Sequence, residues 1–123
     1  MGMIKCKKHG LCGLAINIEN SIIDNINNNQ EISPLDICVI KVYLYDDNEY
    51  LYYINYIITN KSKKQYKISS SYKIHNEKEE LKLKDLDNLV GVICNECLIN
   101  YNYLKNIKSI IKEYQNRDID MQD

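Results

Sequence analysis

The chain has 123 residues, 45% of them hydrophobic and 27% charged, and a formal net charge of −1. This is the length and composition of one globular domain, expected to span residues 1–123, and not of a disordered tail. Near-neutral charge removes the global field that would draw the chain to nucleic acid or to an anionic membrane.

The aromatic content is all tyrosine: eleven Tyr, no Trp and no Phe. Tyrosine can bury its ring while its hydroxyl stays hydrated, which suits core edges and interfaces. The accompanying wealth of Asn, Ile and Lys gives the same bias a purely compositional origin. No apolar run approaches the length of a membrane span, and the start MGMIKCKKHG lacks the apolar core of a signal peptide. Gly2 does not specify myristoylation, because Cys6 stands where Ser or Thr is expected. A cytoplasmic location is therefore expected, and reducing conditions there favour metal ligands or free thiols over disulfides.

In chain order, residues 4–12 form a compact cysteine-histidine segment. Leu14, Ile16 and Ile18 alternate as in a short strand. Ser21 is placed to cap a helix that buries Ile22, Ile23 and Ile26, and Ser33-Pro34 closes that region. ICVIKVYLY, the polar turn DDNE and YLYYINYIIT read as a hairpin. Cys38, Ile40, Val42 and Leu44 share one face of its first strand. Ile37, Val39, Lys41, Tyr43 and Tyr45 share the other, so both faces call for cover. NKSKK breaks the pattern, and QYKISSSYKI alternates as a further strand with one solvated face. HNEKEELKLKDLDNLVG is a polar connection with a helical turn near residues 78–83. Leu98, Tyr101, Leu104, Ile107, Ile111 and Tyr114 recur at three- and four-residue steps, the signature of a helix over residues 95–115. The closing RDIDMQD is expected to fray. The expected fold class is α+β: a small antiparallel sheet within residues 36–74, packed by a short N-terminal helix and a long C-terminal one.

The chemistry concentrates at the two ends of the chain, in segments 6–12 and 90–97. Cys6 and His9 have C-x2-H spacing, and Cys94 and Cys97 have C-x2-C spacing. Two such pairs supply the four ligands of a tetrahedral zinc, each pair directed by a single turn of chain. Gly10 allows the tight turn after the first pair. Cys94 and Cys97 fall at a predicted helix start, whose free amides and dipole favour thiolates. The expectation is a structural Zn2+ held in a zinc-knuckle-like clamp joining the termini. Cys12 is the alternative to His9 as fourth ligand. Cys38 reads as a core thiol, and His75 as a loop residue.

A site with four protein ligands leaves no open position for substrate or water, which argues against metal-dependent hydrolysis. No P-loop, dinucleotide fingerprint or serine-hydrolase elbow is present, and DDNE and EKEE read as solvated turns. Catalytic residues are therefore assigned to none. The expected work is protein binding, with Tyr43, Tyr45, Tyr50, Tyr52 and Tyr56 as the candidate surface. A cognate toxin or effector is the expected kind of partner, as for a bacterial inhibitor or immunity protein. Self-association would also cover an apolar sheet face. The alternatives are a small thiol- or metal-dependent enzyme using Cys97 and a zinc-containing nucleic-acid module. For the latter, Lys61, Lys63, Lys64 and Lys67 lack an accompanying base-stacking platform.

Overall fold

The computed structural model of the chain describes residues 3–115. The expected fraying of RDIDMQD lies outside these residues. The fold is a mixed α+β arrangement around one sheet, with strand order β1-β2-β4-β3-β5 and β6 paired to β2. The strands are β1 (Met3–Cys6), β2 (Gly10–Glu19), β3 (Ile37–Asp46), β4 (Glu49–Thr59), β5 (Ser71–Ile74) and β6 (Val90–Cys94). The helices are α1 (Asn20–Asn27), α2 (Asn60–Gln65), α3 (Glu77–Glu80), α4 (Lys84–Leu89), α5 (Asn95–Ile99) and α6 (Lys108–Gln115), with single 3-10 turns between some of them. Three of the strand pairings are antiparallel. The other two, β2–β4 and β3–β5, are parallel, so the sheet is mixed rather than purely antiparallel.

The hairpin β3–β4 is the centre of the molecule, and its alternation serves two cores. Ile40, Val42, Tyr56 and Ile58 pack with Leu83 and Leu86 on one face. Ile37 and Ile57 pack with Ile18, Ile22, Ile26, Leu98 and Ile107 on the other. Ile18, Ile40, Ile57 and Ile58 have no exposed area, and each such side chain contributes about 1.5–3 kcal/mol relative to exposure. Two covered faces explain why this hairpin reads as a nearly continuous apolar run.

Three local features depart from the periodicity of the sequence. Asn17, at φ 63°, is an extra residue in β2 opposite β6. This bulge puts Ile16 (47% exposed) and Ile18 (0%) on different sides, although they are spaced to share a face. Residues 60–65 form α2 instead of leading into a strand. The Thr59 side chain accepts from the Ser62 amide and starts that helix, and Lys67 at φ 54° follows its end. β5 is therefore confined to Ser71–Ile74.

The periodic segment 95–115 forms α5, a 3-10 turn at Leu104–Ile107 and α6. Its residues Leu98, Tyr101, Ile107 and Ile111 all enter one core as the spacing implies. The steps from Leu98 to Ile107 are all of three residues, which a 3.6-residue helix cannot keep on one line. Buried Tyr101 also anchors the interruption by donating its hydroxyl to the Gln30 carbonyl. Asn55 amide donors close the far end of α6 on the carbonyls of Glu113 (3.2 Å) and Tyr114 (3.1 Å).

Candidate metal centre

Two tight turns carry the cluster, and β2 brings them together. Cys6 ends β1, and Gly10, paired with it, begins β2. The three residues between them form a hairpin loop, with Gly10 at φ 68° supplying the left-handed residue this loop length needs. The further length of β2 pairs with β6 so that Leu14 stands opposite Cys94. One strand thus holds the N-terminal hairpin on one partner and the Cys94 end of β6 on another. Cys94 is also the N-cap of α5, and Cys97 lies within that helix.

Each turn is organised around the sulfur of its first cysteine. The Cys6 sulfur receives backbone N–H groups from Lys8 and His9. The amides of Cys97 and Glu96 lie near the Cys94 sulfur and favour its thiolate, without forming a side-chain cap hydrogen bond on α5. In both, these amides lie two and three residues on, and the third residue bears the second ligand. At Cys94 these amides belong to the first turn of α5, where no intrahelical acceptor exists. This is why C-x2-H and C-x2-C spacing delivers two convergent side chains.

The four donor atoms of Cys6, His9, Cys94 and Cys97 lie within 4.8 Å of one another. His9 Nδ1 is 3.7 Å from the Cys6 sulfur and 3.6 Å from those of Cys94 and Cys97. The Cys6 and Cys97 sulfurs are 3.5 Å apart. With Zn–S of about 2.3 Å and Zn–N of about 2.05 Å, a tetrahedron has edges of about 3.6 Å between sulfur and nitrogen and about 3.8 Å between sulfurs. These four distances match the edges of a zinc tetrahedron, and the cluster is positioned to coordinate a structural Zn2+. The chain matches no protein-family model, no curated protein and no solved structure.

Without metal, the cluster divides its protons unevenly. The amides of Lys8 and His9 hold the Cys6 thiol down to about 6. The hydrogen bond to Cys6, followed by that to Cys94, raises His9. Burial raises Cys97 to about 12, helped by its contact with Cys6. Burial opposes ionisation of Cys94, but the hydrogen bond from Cys12 and the nearby amides of Cys97 and Glu96 outweigh it and lower this thiol. A divalent cation is what allows three thiolates to share one small volume.

Cys12 stands beside this set. Its sulfur touches Cys94 at 2.6 Å and donates to the Ile4 carbonyl at 3.6 Å, and it is not one of the four mutually close donors. His9 fills the fourth corner. Cys38 packs against the opposite core, away from the cluster. His75 pairs with Glu79 at 2.9 Å and stacks on Tyr45 at 4.4 Å between centroids.

The tyrosines of the hairpin do not form one stripe. Tyr43, Tyr45 and Tyr50 are partly buried and in ring contact, at 6.4 Å for Tyr43–Tyr50 and 5.6 Å for Tyr45–Tyr50. Tyr53 joins them at 5.7 Å from Tyr43, with the Lys41 ammonium 5.5 Å from its ring centre. Alternation along β4 hides this member, because Leu51 is a bulge that brings Tyr50 and Tyr53 to one side. Tyr52, 40% exposed, is paired with Leu44 instead. Tyr56 is 4% exposed, its hydroxyl bound to Asp87 at 2.7 Å, so it belongs to the core and not to a binding surface. The Asp87 partner sits in the polar connection, where no spacing signal points to it.

Proposed function

We propose that this chain is a non-catalytic protein-binding domain whose terminal segments are stapled by structural zinc. The observation that carries this reading is the complete set of donors at tetrahedral spacing from Cys6, His9, Cys94 and Cys97. Such a set fills the coordination sphere of zinc and directs the metal to folding energy, not to water activation. The clamp is of zinc-knuckle type and works in the cytoplasm, where its sulfurs stay reduced. Among the described residues, no helix is long and apolar enough to cross a membrane.

The proposed binding surface is the aromatic patch of Tyr43, Tyr45, Tyr50 and Tyr53. Mutual ring contacts hold these side chains in place, which lowers the ordering cost of an interface. The partner is a folded protein of the toxin or effector kind, for which the chain acts as inhibitor. The test is cross-linking and affinity capture from the native host with the zinc-loaded protein and a Tyr43→Ser, Tyr50→Ser double variant. The expected result is one protein held by the parent and lost from the variant, with folding and zinc content unchanged. Equal capture by both would reject the patch. An intrinsic activity abolished by Cys97→Ser at unchanged fold would reject the non-catalytic reading.

A further inference from the structure

The tetrahedron explains Cys6, His9, Cys94 and Cys97 but leaves a fifth donor in contact with it. The ladder register places this donor. Leu14 of β2 faces Cys94 of β6, so Cys12, two residues earlier, projects from the same side of the sheet. Cys12 also pairs with Ile4 of β1. It thus sits where the two strands carrying Cys6 and Cys94 meet its own. Its sulfur is 2.6 Å from that of Cys94, closer than the 3.5–3.7 Å of Cys6–Cys97 and of His9 to its three cysteines. A disulfide needs about 2.05 Å. Closing this pair therefore takes a shift of about half an ångström.

We infer that Cys12 and Cys94 form a disulfide under peroxide and that this bond ejects the zinc. This rests on the zinc reading above. A cavity of about 280 Å³ lined by exposed His9 and partly buried Cys97 lies beside the cluster, and hydrogen peroxide enters there, past His9, whose Nδ1 is 3.6 Å from the sulfur of buried Cys94. The Cys94 thiolate takes one oxygen as the O–O bond breaks, giving a sulfenic acid and hydroxide. The Cys12 sulfur then attacks the Cys94 sulfur. The S–S bond forms, the S–O bond breaks, and the hydroxyl leaves as water with the Cys12 proton. Two electrons pass from the sulfurs to peroxide, which ends as two waters once the hydroxide is protonated. Cys94 no longer offers a thiolate, and three remaining donors release the metal.

The new bond links β2 to β6, which already pair as neighbouring strands, while it frees the turn of Cys6 and His9. The site thereby becomes a peroxide-responsive zinc clamp, released by a bond between the β2 and β6 cysteines. Cys38 takes no part, because it packs in the opposite core.

The experiment first counts zinc in the purified protein by native mass spectrometry. It then follows zinc release to a chromophoric chelator under hydrogen peroxide and maps disulfides by peptide mass spectrometry. The parent and Cys38→Ser should release one zinc per chain and show the Cys12–Cys94 bond. Cys12→Ser should bind zinc equally and release it at least about tenfold more slowly. Zinc present with a different pairing, such as Cys6–Cys97 or Cys94–Cys97, overturns the inference alone. So does release from Cys12→Ser at the parent rate. Disulfide mapping in the parent decides the matter even if the variant folds poorly. Absence of zinc at the first step overturns both this inference and the zinc reading.

Discussion

Cys6 and Cys94 each do two things: they point a sulfur at the shared centre, and nearby backbone amides of their own turn favour their thiolates. Cys38 does neither and lies in the opposite core. Cys94→Ala should therefore remove stoichiometric zinc, while Cys38→Ala should retain it and cost only the packing of a small side chain. Metal analysis of the two purified variants checks the contrast. Protons compete with zinc at the same atoms. Cys97, held at about 12 by burial in the metal-free chain, must lose its proton on binding. Zinc affinity should thus be greatest at alkaline pH and fall by about tenfold per unit for each displaced proton as pH drops. His9, raised by its contacts with Cys6 and Cys94, adds a second proton on the acid side. Competition with a chelator at several pH values measures this slope, and a flat profile would contradict thiolate ligation. The two ligand pairs are legible at this scale because their geometry is local. The contact of Cys12 with Cys94 is not, because it depends on a register between strands 82 residues apart.

At the scale of elements, the β1–β2 hairpin sets the position of His9, and Gly10 sets the hairpin. Alanine there must adopt φ 68°, a conformation that costs an L-residue about 1–2 kcal/mol. Gly10→Ala should lower stability by that amount and weaken zinc binding, whereas Lys7→Ala in the same loop should change stability by less than about 0.5 kcal/mol. Denaturant titration with and without zinc reads both. Elsewhere, elements formed where side-chain pattern and backbone signals agree. The β3–β4 hairpin combines alternation with a polar turn, and Asp47 at φ 57° lies in that turn. They diverged where a local hydrogen bond outweighed the pattern. Thr59 starts α2 inside what reads as a break before a strand, and Tyr101 interrupts the periodic C-terminal segment. β6, only five residues long, is fixed by its pairing with β2 and carries little signal of its own.

Across the whole molecule, two isoleucine-rich cores stabilise the sheet from both sides. The zinc centre stabilises a different region, the junction of β1, β2, β6 and α5. Glu19 secures the other end of β2: its buried carboxylate accepts from the Thr59 amide at 2.8 Å and hydroxyl at 3.0 Å. Chelation should accordingly leave β3–β4 protected and speed hydrogen exchange in residues 3–13 and 90–99 together. A zinc hundredfold above its dissociation constant adds about 2.7 kcal/mol, so its removal should lower Tm by about 10 °C. Loosening of one segment alone would mean that the two turns do not share an ion. The α+β class and the link between distant termini were legible from periodicity and ligand spacing. The parallel pairings were not, because they are set by which strands the two cores bring side by side.

The decisive measurement is the metal content of the folded chain, by native mass spectrometry of protein purified without added metal or chelator. One zinc per chain, lost together in Cys6→Ser and Cys97→Ser, is the result that a shared tetrahedral centre requires. A folded, metal-free chain that takes up no added zinc would contradict it.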